Sequence, residues 1–389
     1  SQQLVCDWFY PAALARGYTS TVVAEVWEIL RAFASFGFCK AHAAAFALPT
    51  YQSSWLKTHH TAAFLAGVLT HEPGMYPKRL ILDEARQWGI QIAPIDVNLS
   101  DATYRVEKSS KETRAPYLAP NVLSSGAELK LPDARGFAIR MALSDIDGID
   151  GKEIKSIISG RPYLDLADFV YRSGASRPTT ESLLTIGAFD DLHKLSTSNI
   201  NRRDLALHLQ DLYRLAGSKS ATSQGQMSFE LQPEKFEPSG LPDITASEQV
   251  KSEIDILGMD VSSHLLEFYG DFLNKIGAVR SCDLIKHRSG TSVLVAGVKV
   301  ALQTPPVRSG RRVMFLTIDD GHGCNDITFF EDKQADFATV LRNSWLFLVR
   351  GEIRRTGPRG ISLLGTGAWE LANSHEKWRN LAVYGASGT

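Results

Sequence analysis

The sequence predicts a multi-domain protein of mixed α and β class, in which helical domains precede a five-stranded barrel. Its 389 residues, 44% of them hydrophobic, are too many for one ordinary core, so two to four domains are expected. Apolar residues recur at helical spacing in the first part of the chain, whereas the last part consists of short runs typical of β-strands, separated by turn-forming residues. A polar stretch at 217–243 separates the two patterns.

The first part predicts a series of helices. Apolar residues recur at helical spacing over 21–36, and Gly37 follows as a C-terminal stop. The alanine-rich run 36–69 predicts two closely packed helices, kinked or divided at Pro49 because the proline ring clashes with the carbonyl of residue 45. A further helix is expected over 76–88.

Lys40 and His42 lie just before a predicted helix within the alanine-rich run. A cation and a hydrogen-bond donor at a helix N-terminus can meet the phosphates of a nucleoside triphosphate. Without further context, a lone Lys and a lone His are more often a solvated charge and a helix cap. They are candidates for nucleotide binding.

A Gly-x-x-Gly pattern at Gly148 and Gly151 encloses Ile149 and precedes Lys152 at the start of a helical run. Two glycines at this spacing let backbone N–H groups approach a phosphate, and the helix N-terminus adds its positive dipole. A tight turn between two helices is the alternative explanation. The helix over 181–192 suggests a second hairpin, and such hairpins contact the DNA backbone without reading its sequence.

Residues 217–243 are rich in Ser, Gly, Gln and Pro, which predicts a linker. Within this linker, residues 224–229 (QGQMSF) place a glutamine before two apolar anchors. Short segments of this kind dock into grooves on partner proteins, although six residues match by chance about as often.

Residues 292–371 contain five short strands, with one helix between the third and the fourth. This layout is typical of an OB-fold barrel. Arginines and aromatic residues interleave along it, as in grooves that bind single-stranded nucleic acid. Most of the aromatic side chains must face the barrel core by strand alternation, so the arginines are the stronger signal. Arg350, Arg354 and Arg355 are the candidate contacts.

Several function classes are disfavoured. A net charge of −1 means that any DNA contact must be local. The four cysteines show no zinc-ligand spacing, so no metal site is predicted, and their scatter fits a reducing cytoplasm. No apolar run is long enough to span a membrane.

The pairs Asp190-Asp191 and Asp319-Asp320 are expected to act in turns or caps.

Four segments carry a resemblance to a known family: FGFCKAHAAAFALPTYQSSWLKTHHTAAF, PGMYPKRLILDEARQWGIQIAPIDVNLS, FAIRMALSDIDGIDG and LLTIGAFDDL. In order and spacing they resemble the C-terminal half of the bacterial C-family DNA polymerases, the DNA polymerase III alpha subunits. The stretch WLKTHHTAAF looks more like the error-prone branch than the replicative one. The resemblance covers nearly the whole chain.

The resemblance implies a domain plan. Residues 1–110 would be the rear of the polymerase fingers domain, 136–192 a tandem helix-hairpin-helix region that binds duplex DNA, and 292–371 an OB-fold domain that faces the single-stranded template. We therefore expect the C-terminal portion of an error-prone, damage-tolerant polymerase that acts in template-directed synthesis and translesion repair. A stand-alone single-strand-binding or scaffold module without catalysis is the alternative.

The resemblance also implies cofactors and partners. The parent enzyme would use Mg²⁺ held by palm aspartates that lie upstream of this chain, so we expect the chain alone to be inactive and to hold no metal. Its partners would be primer-template DNA, a deoxynucleoside triphosphate, and sliding-clamp or mutasome proteins.

Three features depart from the family pattern. Pro49 replaces an aliphatic residue, Asp147 and Asp150 bring acidic side chains into the hairpin, and residues 224–229 lack a clean clamp-binding motif.

Overall fold

The computed structural model describes residues 2–34, 40–72, 74, 76–110, 134–220, 238–305, 312–355, 357 and 360–386. The chain divides into two compact units, Ser1–His59 and His60–Thr389. The larger unit contains a helical part and a closed five-stranded barrel, so the predicted mixed α and β class is confirmed.

The smaller unit consists of α1 (Gln2–Ala15), α2 (Ser20–Ala34) and α3 (Lys40–His59). The α1 and α2 helices meet through Phe9 and Trp27, whose ring centroids lie 5.7 Å apart. Val23 is the one fully buried residue among the described side chains of this unit.

Pro49 does not divide the alanine-rich run, contrary to one of the two predicted outcomes. The α3 helix continues through Pro49, and the next helix begins only after His60. Proline removes one backbone donor and costs about 3 kcal/mol in a helix interior, which a long helix tolerates. Next to this gap, the Thr50 hydroxyl donates to the Phe46 carbonyl at 2.8 Å and adds a hydrogen bond to the same turn.

The helical part of the larger unit encloses the main hydrophobic core. Its α-helices are α4 (Thr61–Thr70), α5 (Lys78–Gln87), α6 (Gly151–Ser159), α7 (Leu166–Arg172), α8 (Arg177–Thr185), α9 (Arg202–Ser220) and α10 (Ala246–Leu257). Three aromatic rings meet edge to face in this core: Tyr163 and Phe169 at 4.8 Å and Phe169 and Phe189 at 5.0 Å between centroids. The first residues of the predicted linker belong to α9, and most of the remainder lies outside the described residues.

A small sheet joins α5 to the hairpin helices. It contains β1 (Gln91–Ala93), β2 (Arg105–Lys108) and β3 (Phe137–Arg140). The order is β1-β3-β2, with β1 parallel and β2 antiparallel to the central strand. Fully buried Ile139 on the central strand packs into the main core, which fixes the sheet beneath the hairpins.

The barrel closes in the order β4-β5-β6-β8-β7. Its elements, together with the helices that flank it, are α11 (Gly270–Lys275), β4 (Ser292–Gln303), β5 (Val313–Asp319), β6 (Cys324–Phe330), α12 (Glu331–Asn343), β7 (Leu346–Arg355), β8 (Ile361–Glu370) and α13 (Leu371–Ala386). The predicted five strands and intervening helix are confirmed. The single parallel pair joins β6 to β8 and closes the barrel.

Gly365 lies where the barrel interior leaves no room for a side chain. A Cβ atom at this position would collide with the ring of Phe329, which is itself fully buried. We therefore expect Gly365→Ala to lower the free energy of unfolding by about 1–3 kcal/mol through overpacking, measured by urea denaturation. The control is Gly67→Ala in α4, where a Cβ meets open space and alanine favours the helix. Equal stability of wild type and Gly365→Ala would contradict this account of the barrel core.

Candidate nucleic-acid interface

The predicted hairpin lies between the 3-10 helix Leu143–Asp145 and α6. Gly148 has a φ of +78°, a conformation that glycine adopts without strain. The Asp147 amide donates to the Ile256 carbonyl of α10 at 2.9 Å, and Ile149 packs against the main core. Ile149 is thus a partly buried anchor that holds the turn in place.

The N-terminus of α6 is already capped. The Asp150 carboxylate accepts hydrogen bonds from the amides of Lys152 and Glu153 at 2.7 and 2.8 Å, while Glu153 accepts from the Asp150 amide. These amides lower the pKa of Asp150 because they stabilise its charged form. We expected the dipole at this helix N-terminus to attract an external phosphate. The Asp150 carboxylate of the chain itself already occupies most of that position.

Two hairpin amides remain available. Within the described part of the chain, the amides of Gly148 and Gly151 donate to no protein acceptor. A Cβ added to either glycine would meet nothing within 4 Å. Lys152 is exposed directly after them. The hairpin can therefore offer two backbone donors and one ammonium group to an approaching phosphate.

The outer face of the barrel carries exposed aromatic rings on three neighbouring strands. Phe315 on β5, Phe330 on β6 and Trp369 on β8 are 41%, 42% and 39% exposed. Phe329 points the other way, into the core, as strand alternation requires. We call the exposed rings of Phe315, Phe330 and Trp369, with Arg350 and Arg354, the aromatic–arginine face.

Of the three predicted barrel arginines, two belong to this face. Arg350 and Arg354 lie on β7 in the same outward alternation, and the Arg350 guanidinium lies 5.7 Å from the Trp369 ring centroid. Arg355 instead donates to the carbonyls of Ile285 and His287, which ties β7 to the segment before the barrel. Sequence alone could not separate Arg355 from its neighbours, because the carbonyls it contacts lie about 70 residues earlier in the chain.

The adjacent outer surface of the barrel is covered. Leu348 and Ala296 form a second apolar cluster with Leu266, Phe272 and Leu371, so α11 and α13 occupy the outer surface of β4 and of the first part of β7. A ligand that crosses the barrel therefore finds its open surface on the aromatic–arginine face.

Lys40 and His42 both lie in the first turn of α3. His42 is exposed, and its ring packs edge-on against Phe46 at 4.6 Å between centroids. The Lys40 side chain lies outside the described part, as do Arg308, Arg311, Arg359 and the segment 224–229.

The aspartate pairs have different roles from each other. Asp320 accepts from the Ser281 amide and hydroxyl and from the His322 and Gly323 amides, as expected of a turn residue. Asp190 forms a bidentate pair with Arg202. Asp319 does more than cap a turn: it is 1% exposed and pairs with Arg79 of α5 at 3.0 Å, a contact 240 residues apart that no local pattern reveals.

Asp83, His264 and Asp319 are the one set of described side chains close enough to share a metal ion, with ligand atoms within 4.8 Å of one another. The geometry does not suit a metal. His264 Nδ1 accepts from the Leu266 amide at 3.2 Å, so Nε2 carries the proton and faces Asp319 at 3.3 Å. In a metal-binding histidine, one ring nitrogen binds the metal and the other donates its proton to a hydrogen bond. Here the nitrogen that faces Asp319 carries the proton and the other nitrogen accepts. Arg79 and Arg86 already pair with the Asp319 and Asp83 carboxylates.

Comparisons with known proteins agree with this geometry. The family described as "Helix-hairpin-helix motif" matches residues 89–205, and that described as "OB-fold nucleic acid binding domain" matches residues 293–371. A protein named error-prone DNA polymerase from Symbiobacterium thermophilum is 31% identical over 347 residues, covering 83% of this chain and 31% of the relative. The chain belongs to this polymerase family.

Other relatives carry both names used in the family. The error-prone DNA polymerase of Bdellovibrio bacteriovorus is 30% identical over 88% of this chain and 30% of its own length. The DNA polymerase III subunit alpha of Pasteurella multocida is 27% identical over 89% of this chain and 28% of its own. The chain thus spans about a third of the length of the curated relatives it matches. Within the described part, no helix is both long and apolar enough to cross a membrane.

Proposed function

We propose that this chain holds DNA and helps to position the incoming nucleotide within an error-prone DNA polymerase that copies damaged templates. The observation that carries the proposal is the aromatic–arginine face, which combines three exposed rings with two outward arginines. Stacking on aromatic rings is tolerant of sequence, and arginines neutralise phosphates, so the face suits a single-stranded template overhang. The names of the relatives support the polymerase setting.

The hairpin at 146–152 is proposed to contact the duplex part of the same DNA. Its two available amides lie next to the exposed Lys152, which adds a positive charge, whereas the Asp150 carboxylate caps the helix. The contact would therefore be modest and directed at the phosphate backbone, independent of base sequence.

The polymerase reaction itself is proposed for the longer protein. Mg²⁺ would be held by aspartates outside this chain, where it stabilises the charge that develops during phosphoryl transfer. The residues described here would bind and orient DNA, and the chain alone would not polymerise. Sliding-clamp and mutasome proteins are proposed partners, with the cytoplasm as the site of action.

The division of labour on the barrel can be tested with the double variant Arg350→Ala/Arg354→Ala. Removing two phosphate contacts should weaken binding of a single-stranded oligonucleotide and reduce the slope of log K against log salt by roughly 1.4, at about 0.7 per contact. Duplex binding should change less. Fluorescence anisotropy across a salt series gives both quantities.

Arg355→Ala is the matched control for the double variant. It removes hydrogen bonds to Ile285 and His287, so thermal stability should fall while the salt slope stays that of wild type. A reduced slope in Arg355→Ala, or a wild-type slope in the double variant, would count against the aromatic–arginine face.

The hairpin can be tested with Gly151→Val. This position has open space and no positive φ, so the variant should fold, but the added side chain would block phosphate from the adjacent amides. We expect duplex affinity to fall about tenfold, which corresponds to about 1.4 kcal/mol. The control is Gly270→Val, which also alters an unhindered glycine at the first position of a helix. Identical duplex affinities in the two variants would rule out the hairpin contact.

Lys40 and His42 are proposed to face the triphosphate of the incoming nucleotide. Their support is the first turn of α3 and the family resemblance of the surrounding run. In the complete polymerase, Lys40→Ala should lower both nucleotide affinity and turnover, because a cation at this point stabilises charge as pyrophosphate leaves. Lys57→Ala, in the last turn of the same helix, serves as the control. Unchanged single-nucleotide kinetics with lower thermal stability would assign Lys40 a structural role only.

A further inference from the structure

The helical part and the barrel are joined by a buried group of charged side chains, which we call the junction cluster. Its members come from α5, from the segment after α10 and from the barrel: Arg79, Asp83, Arg86, Asp260, His264 and Asp319. None of these residues takes part in the DNA contacts proposed above.

Arg79 makes the direct connection between α5 and the barrel. Its guanidinium donates to the Asp319 carboxylate at 3.0 Å and to the Lys299 carbonyl of β4 at 3.1 Å. The residue is only 6% exposed. Two neighbouring barrel strands are therefore held by one side chain of α5.

Arg86 lies about two helical turns further along α5 and holds the connecting segment. It donates to the Val261 carbonyl at 2.7 Å and to Asp83 Oδ1 at 2.5 Å. Asp260 accepts from the Leu265 amide at 2.9 Å. Arg86 thereby fastens the start of the segment that leads into the barrel to α5, and the Asp260–Leu265 bond closes a turn within that segment.

The cluster contains one negative charge too many. His264 is neutral in this arrangement because its Nδ1 accepts from the Leu266 amide, so Asp83, Asp260 and Asp319 face only Arg79 and Arg86. The excess is least compensated at Asp83, which is 1% exposed: its Oδ1 pairs with Arg86, but its Oδ2 has no hydrogen-bond partner. A buried negative charge that is only partly compensated is costly, and one proton added at Oδ2 would remove it.

We propose that Asp83 is a positioning residue that takes up this proton, and that its ionisation loosens the hold of the helical part on the barrel. Because the barrel carries the aromatic–arginine face, the inference rests on the proposed function. Asp83 would thereby link pH near neutrality to the way in which that face is presented to DNA that leaves the hairpin.

Burial raises the pKa of Asp83 to about 7, with Arg86 and His264 opposing the rise and Asp319 and Asp260 adding to it. Burial lowers the pKa of His264, but Asp319 and the other carboxylates outweigh this and leave it raised. The hydrogen bond that Nδ1 accepts from the Leu266 amide nevertheless requires the neutral ring in this arrangement.

The direction in which pH changes the stability follows from how tightly Asp83 binds its proton in the folded and in the unfolded protein. Asp83 binds its proton more tightly in the folded protein than in the unfolded chain, where its pKa is 3.8. Its stabilising contribution is therefore complete at acidic pH and is lost as the pH rises through about 7.

The test uses the Asp83→Asn variant of the whole chain, since asparagine keeps the shape and the acceptor for Arg86 but carries no charge. At pH 8 the variant should melt about 3 °C or more above wild type, and at pH 5.5 the two should melt together. Asp211→Asn, at an exposed position on α9, is the control and should show no such pH-dependent gap.

The positioning role needs a second readout, the affinity for a primer-template junction with a single-stranded overhang. From pH 6 to pH 8, wild type and Asp211→Asn should lose about threefold more affinity than Asp83→Asn does. Parallel pH profiles in all three proteins, or parallel melting curves, would overturn the inference while leaving the proposed function intact. Failure of every variant to bind DNA at any pH would overturn the proposed function itself.

Discussion

The buried ion pair between Arg79 and Asp319 is the constraint on which the arrangement of the larger unit depends. It joins a helix near the start of that unit to a barrel strand 240 residues later, with both side chains almost completely buried. Removing one partner of such a pair typically costs about 3–5 kcal/mol, because the other charge is left buried and unpaired. The contact therefore fixes α5, the small sheet behind it and the barrel as neighbours.

The barrel topology then decides which side chains can reach DNA. Closure in the order β4-β5-β6-β8-β7 leaves one outer surface against α11 and α13 and another open. Phe315 and Trp369 lie on the open side, whereas Phe329 fills the core. The hairpin contributes less than its Gly-x-x-Gly pattern suggests, since Asp150 occupies the helix N-terminus and leaves the amides of Gly148 and Gly151 to make the contact.

Local patterns predicted much of this architecture. Strand alternation and turn residues predicted the five barrel strands within 292–371 and the helix between the third and the fourth, because those signals lie in neighbouring positions of the sequence. Local patterns do not encode tertiary contacts. The continuation of α3 through Pro49, the separation of Arg355 from Arg350 and Arg354, and the burial of Asp319 against Arg79 all depend on partners or on helix length that local spacing does not encode.

The central claim is that the barrel holds the single-stranded template while the hairpin contacts the duplex. Photo-cross-linking from a primer-template junction, with one reactive base placed in the overhang and another in the duplex, tests it most directly. We expect the overhang base to label peptides of β5, β6 and β8, and the duplex base to label the region 146–160. Labelling of the hairpin by the overhang base, with no label on the barrel, would contradict the account.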